Sequence, residues 1–533
     1  VSRYDAEIAA KIDDLFADWQ QGVCPGGQVV VRKGGEIVYE NCFGYASVEH
    51  RLPITGETVF HVASVSKQVT VMCVLLLQED GLLNVDDDIR SYVPDMVSFA
   101  EPVSVRNLMN NVSGIRDQWE LLMLQGVRLD DTITQSDAKD VISTQTELNF
   151  PPLTRYMYCN SNFTLLAEIA ERVSGKSLNE FARERIFAPL GMAQTCFKDR
   201  YWQVIPNGTD SYKRVGGELI HAVLNYGTYG ATSLHTTATD FMKWMANFKE
   251  PVICKRETLS EMFACPTLLD GTKIHYAGGL IVNDPALYQG RPFIGHDGSD
   301  AAFRSCTVRF PVEDIDIAIF SNTDTVAIGR AAEKIVDLLL GVERSEVEPQ
   351  VLPDFYDADF ADEDVAGTYY SDGTYALIAQ VVGKGDQLYL LEEYGAAPLV
   401  QVEGNRYQAG TANYELYLGS TAGFRFGTRC IPLKKWQPDQ ECEADGLAYA
   451  GTYESAELGT AYEVLVEDGA LYLSHRRNKK QLLLRTAPDQ FIAGVGGSLY
   501  GVTLTFARAA NQAVSGFRVS TGRAQAVAFA KRN

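Results

Sequence analysis

The sequence predicts an α/β fold of the α+β kind, an antiparallel sheet with a helical lobe, followed by two similar antiparallel β-barrels or sandwiches. Three observations predict it. Strand-like runs lie near both ends of the first 341 residues, helical patterns fill the middle, and an internal repeat of 84 residues occupies the remainder.

The chain opens on "VSRYDAEIAAKIDDLFADW", in which Ile8, Ile12, Leu15 and Phe16 recur at helical spacing and predict an amphipathic helix. "GGQVVVRKGGEIVYENCFG" then reads as two strands around Gly34-Gly35, a hairpin signal. Helical patterns dominate to about residue 250, among them "SNFTLLAEIAERVSG", whose Phe163, Leu166, Ile169, Ala170 and Val173 share a face. Strand signals return in "AGGLIVND", "RPFIGHDG", "AFRSCTVRF" and "DIDIAIFSN", and the helix "RAAEKIVDLLLG" closes the segment. The economical arrangement is one antiparallel sheet built from both ends of this region and covered by the terminal helices, with a cleft against the helical middle.

From Val342 the chain turns acidic, carries Pro349 and Pro353 and loses any sustained period, which predicts a linker over 342–364. Beyond it "AGTYYS" at Ala366 and "AGTYES" at Ala450 place Gly367 and Gly451 84 residues apart. Leu388-Tyr389-Leu390 matches Leu471-Tyr472-Leu473, and Tyr407 matches Phe491, at nearly the same offset. The predicted division is therefore 1–341, linker 342–364, and two β domains over 365–445 and 446–533.

Composition excludes several classes. With 46% hydrophobic and 22% charged residues the chain reads as globular throughout, and its net charge of −22 argues against nucleic acid or an anionic membrane as partner. The longest apolar run, Val71 to Leu77, is far too short to span a bilayer. The N-terminal pattern is not that of a signal peptide, so a cytoplasmic location is expected, or a periplasmic or secreted one if a leader has been removed. Ten scattered cysteines, without a C-x-x-C or a Cys/His cluster, predict neither a metal site nor a disulfide scaffold, and no cofactor is expected. Oligomeric state is left open.

The chemistry concentrates in "FHVASVSKQVTVMCVLLLQEDG", residues Phe60 to Gly81. Ser64 and Lys67, at i and i+3 on one predicted helix, project from the same face, so the amine can reach the hydroxyl. A helix N-terminus and an apolar neighbourhood both disfavour the ammonium form, and a partly neutral lysine can activate a serine as nucleophile. The alternative is a lysine lying along apolar surface with its amine in water. Ser136-Asp137-Ala138-Lys139 has the same spacing but sits in a polar, acid-rich stretch. Gly81 is the expected helix stop.

"RYMYCNSNF" places Tyr158 and Asn160 on a loop before a helix, where Asn160 could equally be an N-cap. Tyr39-Glu40-Asn41 repeats the Y-x-N spacing inside a predicted strand. His296-Asp297-Gly298 is the only H-x-G in the chain; Gly295 and Gly298 permit close approach of backbone or ligand, which leaves the amide of Ser299 available as an oxyanion donor.

In this order the three motifs resemble those of the serine beta-lactamase and penicillin-binding protein superfamily, in the branch with class C beta-lactamases, D-aminopeptidases and related esterases, where H-x-G often stands third. "VSKQVT", "NNVSGIRDQW", "YCNSNF" and "ERIFAPLGM" look most like the bacterial D-aminopeptidases, which carry two C-terminal β-barrels. The resemblance implies Ser64 as nucleophile, Lys67 and Tyr158 sharing acid and base duty, an oxyanion hole from the amides of Ser64 and Ser299, and Asn160 on a substrate amide. His296 stands where many relatives carry lysine, so a titratable charge is expected in place of a fixed one. The implied function is a metal-free serine hydrolase of short peptides or amides with D-residues. The alternatives are an esterase or D,D-carboxypeptidase with weak beta-lactamase activity, or a penicillin-binding sensor that acylates without turnover. A third alternative makes the two barrels the working part, as lipid or peptide binders. In D-aminopeptidases a loop of the last barrel helps select the substrate amine. Here the corresponding hairpin carries the basic cluster Arg476, Arg477, Asn478, Lys479 and Lys480, which in a cleft would favour carboxylate-bearing substrates.

Overall fold

The computed structural model describes the chain apart from residues 1–5, 96–100, 216, 343–353, 355, 358–359, 361–364, 372–376, 393–394, 410–413, 427–428, 438–445, 495–500 and 533. Most of the predicted linker lies outside the described residues. The rest forms two compact units. The first comprises residues 1–115, 129–143 and 150–348, and the second 116–128, 144–149 and 349–533.

In the first unit, a seven-stranded antiparallel sheet runs in the order Tyr276–Ala277, Leu280–Val282, Ile294–Asp300, Phe303–Phe310, Ile315–Ser321, Gly27–Lys33, Glu36–Phe43. The two ends of the segment meet where Val30 opposes Ala318. The hairpin turn at Gly34-Gly35 has φ of +60° and +87°, a mirror-image turn that glycine adopts without a steric penalty. Alternation sends Val29, Val31, Ile317 and Ile319 to one face, where Ile12 of the first helix, Ala6–Asp14, Phe16 just beyond that helix, and Ile335 and Val336 of Ile328–Leu340 cover them. On the other face Phe320 packs against Phe60 and Phe241.

The helix Ser66–Glu79 is buried from Ser66 through Leu77 on every side, so it is a central helix rather than an amphipathic one. Each fully buried Val or Leu on it contributes about 1.5–3 kcal/mol relative to exposure. It packs on Asn160–Ser174, whose C-terminus is closed by Gly175 at φ +68°. Ser64 precedes this central helix, in the 3-10 turn Ala63–Val65, rather than standing on its first turn.

The second unit contains a closed eight-stranded barrel from Gly367–Tyr370 to Arg429–Lys435 and a nine-stranded antiparallel sheet. The nine-stranded sheet is nearly closed: its edge strands Asn478–Leu482 and Leu484–Ala487 are separated in sequence only by Leu483. The 84-residue repeat is physical. Gly367 and Gly451 have φ of +146° and +144°, and a Cβ at either would fall 2.8 Å from a lysine Cε, of Lys435 and Lys531 respectively. Two residues on, the buried Tyr369 donates to the carbonyl of Val365 (2.9 Å), and Tyr453 to that of Tyr449 (2.6 Å).

The predicted boundary at 341 misses two segments. Residues 116–128 and 144–149, inside the stretch read as one domain, belong to the second unit. The almost fully buried Arg116 donates to the carbonyl of Gln525, to Gln145 and to Glu457, each at 3.0 Å, and Arg523 Nε donates to Glu120 at 2.8 Å. A buried guanidinium is tolerated because several acceptors surround it.

Candidate active site

Ser64 is held by a turn that the sequence alone does not reveal. Ala63, just before it, has φ +46°, a strained conformation for a residue with a Cβ. The Ser66 hydroxyl donates to the Ala63 carbonyl (2.5 Å) and accepts from the Leu234 amide (2.9 Å), while Ser305 donates to the Val62 carbonyl (2.8 Å). Gly298 lies against the same turn: a Cβ there would sit 2.4 Å from the Val62 carbonyl oxygen and 2.2 Å from Ser305 Oγ. The glycine of H-x-G is thus required by close approach to the serine's own turn.

The buried amine of Lys67 donates to Ser64 Oγ (3.1 Å), Asn160 Oδ1 (2.9 Å) and the Ala231 carbonyl (2.6 Å). Tyr158 donates its hydroxyl to Ser64 Oγ at 2.7 Å, and its ring lies 4.9 Å from the Lys67 nitrogen. Asn160 is the first residue of its helix, and Cys159 holds the cap position with its thiol turned to the Ile115 carbonyl (3.2 Å) rather than capping the helix, so Asn160 is not the N-cap. Asn111, with φ +56°, pins the Tyr158 loop on both sides: its carbonyl accepts from Met157 N (3.0 Å) and its Oδ1 from Cys159 N (3.1 Å).

His296 does not supply the titratable charge expected of it. Burial, and then the neighbouring Lys67, push it down to about 3. Its Nδ1 faces the Asp297 carbonyl at 2.5 Å, which can only accept, so Nδ1 carries the proton and Nε2 accepts from Tyr276 Oη at 3.2 Å. Burial raises Tyr276 well above its ordinary value, so it stays protonated and able to donate. In the unfolded chain His296 binds a proton near 6.5, whereas in the fold it does so only near 3. Its burial therefore costs stability progressively as pH falls through that window. His296→Gln should flatten this acid-side loss in a melting-temperature series from pH 7 to 4 and leave the pH–rate profile above pH 5 unchanged in shape.

Ser299 follows Gly298 on Ile294–Asp300. That strand pairs with Leu280–Val282 only at Ile294 and Gly295, so among the described residues its edge from His296 to Asp300 has no ladder partner on that side. An extended substrate segment can add to such an edge.

Neither repeated spacing assembles a site. Ser136 is exposed and Lys139 turns to Glu168 (3.0 Å); Tyr39 and Asn41 both bind Asp13, at 2.6 and 2.8 Å. In the basic hairpin, within the second unit, Arg476 and Arg477 are exposed, and Asn478 begins a strand. Lys480 forms an ion pair with Glu467 and lies 4.4 Å from the Tyr472 ring, and the side chain of Lys479 is outside the described residues. His475, just before the cluster, is buried against the Tyr462 ring and lowered first by burial and then by its arginine neighbours, so it adds no charge to theirs near neutrality.

Residues 9–340 match the model of the beta-lactamase family. A D-aminopeptidase of Gluconobacter oxydans is 30% identical over 356 residues, 66% of this chain and 65% of that protein. A D-aminopeptidase of Brucella anthropi is 30% identical over 332 residues, 60% of each chain. The chain thus covers less than two thirds of the length of either relative. Among solved structures, a D-amino acid amidase from Ochrobactrum anthropi SV3 complexed with D-phenylalanine shares the fold, with a TM-score of 0.54 and 19% identity over 63% of this chain and all of that one.

Proposed function

The chain belongs to the beta-lactamase family, and we propose that it is a serine hydrolase that forms an acyl-enzyme on Ser64 and acts on short peptides or amides with D-residues. The observation that carries the proposal is a serine oxygen held at once by Tyr158 Oη (2.7 Å) and Lys67 Nζ (3.1 Å). In the proposed reaction Ser64 Oγ attacks the amide carbon and its proton passes to the Lys67–Tyr158 pair, one member of which is deprotonated at that moment. The carbonyl electron pair moves onto oxygen, facing the amides of Ser64 and Ser299. The pair then protonates the leaving nitrogen as the C–N bond breaks. Water repeats the sequence: its oxygen bonds to the acyl carbon as its proton passes to the pair, the bond from that carbon to Ser64 Oγ breaks, and the pair returns the proton to Ser64.

The D preference is drawn from the relatives, both D-aminopeptidases. A reaction requiring a cation for a substrate carboxylate at the H-x-G motif is disfavoured by the neutral His296. The test is a panel of D- and L-aminoacyl anilides with free and blocked amino termini. Sustained turnover with kcat/KM higher for the D series by at least about tenfold supports the reading. A single stoichiometric burst would identify a sensor, and turnover of esters alone an esterase.

A further inference from the structure

On the Ile294–Asp300 strand, side chains two apart share a face, so His296, Gly298 and Asp300 form one row. Gly298 abuts the Ser64 turn, and Asp300 lies one pleat beyond it, roughly 7 Å farther along the strand. Its carboxylate is not a surface ornament. Oδ2 accepts from the buried His61 Nε2 (3.1 Å) and from the buried Thr232 hydroxyl (3.0 Å). Both anchors belong to the site's own scaffold: His61 lies three residues before Ser64, and Thr232 follows Ala231, whose carbonyl holds Lys67. One oxygen is thereby fixed, the side chain stays 24% accessible, and no arginine or lysine pairs with Asp300 among the described residues.

The other end of the row is chemically different. Tyr158, which would protonate a leaving nitrogen, lies 6.0 Å from the His296 ring, and its companion Tyr276 donates to that histidine. The leaving group therefore belongs at the His296 end and the acyl group at the Asp300 end. On the acyl side of an aminoacyl substrate the nearest charge is the α-ammonium, two bonds from the carbonyl carbon.

We infer that Asp300, oriented by His61 and Thr232, binds the free α-ammonium of the acyl residue and so makes the enzyme an aminopeptidase or aminoacyl amidase rather than an endo-acting or carboxypeptidase-like enzyme. The inference rests on Ser64 being the acylated serine in the proposed function. A partly enclosed carboxylate with one oxygen already fixed loses little freedom on meeting an ammonium, and a charged hydrogen bond of this kind corresponds to about a tenfold to hundredfold preference.

The test compares wild type, Asp300→Asn and Asp300→Glu. Fluorophosphonate labelling of Ser64 is followed in the presence of D-alanine amide or its N-acetyl derivative, which reads binding whether or not turnover occurs. In wild type the free amine should protect at least about tenfold better than the acetylated compound. Asp300→Asn should abolish that ratio, each protection being expressed relative to the variant's own unprotected labelling rate, and Asp300→Glu should restore part of it. Equal loss of protection by both compounds in Asp300→Asn, with a lowered melting temperature, would overturn the inference and leave Asp300 as a support for His61. So would a preference for carboxylate-bearing ligands that disappears in Arg476→Glu with Arg477→Glu. Failure of the proposed function looks different, because Ser64 itself would then not label.

Discussion

Ser64→Ala is expected to abolish acylation, with amide or ester turnover falling by at least about a thousandfold, whereas Ser136→Ala should leave the rate within about twofold of wild type. The two serines share an S-x-x-K spacing but not an environment. Ser64 lies within 3.1 Å of its lysine and 2.7 Å of a tyrosine, while the lysine three residues after Ser136 is turned toward Glu168. Removing Ser64 Oγ deletes the hydroxyl to which Lys67 and Tyr158 both donate, and alanine fits the 3-10 turn without disturbing the Ser66 and Ser305 bonds that hold it. Near-equal melting temperatures for the two variants would show that the loss is chemical.

Lys67→Met and Tyr158→Phe should each lower kcat by about 10²- to 10⁴-fold, and the double variant should be no more than about tenfold worse than the poorer single one. Both groups bind the same oxygen, and the Lys67 nitrogen lies 4.9 Å from the Tyr158 ring, so removing either strands the proton that the other would exchange. Methionine keeps the volume of the buried lysine stem but leaves Asn160 Oδ1 and the Ala231 carbonyl without its donors. A stability loss of about 1–3 kcal/mol should therefore accompany Lys67→Met and be absent from Tyr158→Phe. Additive rate losses in the double variant would mean that the two act separately.

Both predictions depend on residues that were legible in the sequence for a local reason. Ser64 and Lys67 sit three apart, Tyr158 lies two residues before the helix Asn160–Ser174, and His296 and Gly298 sit two apart on a strand, so short spacing carries each part. The strands are legible too, because Gly34-Gly35 between "QVVVRK" and "EIVYENCF" signals a hairpin and "DIDIAIF" reads as a strand. What spacing could not show are bonds between distant positions. Asn111 fixing the Tyr158 loop, Ser66 bridging Ala63 to Leu234, and Asp300 on His61 and Thr232 are all of this kind. The second-unit membership of residues 116–128 was hidden similarly: the partners of Arg116 and Glu120 lie as far as 409 and 403 residues away. The charge state of His296 is not legible in spacing, because burial, and then the neighbouring Lys67, override its ordinary titration near neutrality.

The proposed reaction turns on a covalent intermediate at one oxygen. Mixing the enzyme with a D-aminoacyl ester, quenching in acid at millisecond to second intervals and measuring intact mass followed by peptide mapping observes it directly. The predicted result is a mass increase equal to one aminoacyl group, located on the peptide containing Ser64, which rises before product accumulates and decays when the ester is exhausted. Product release with no adduct at any interval, or an adduct that maps to Ser136 or another residue, would contradict it.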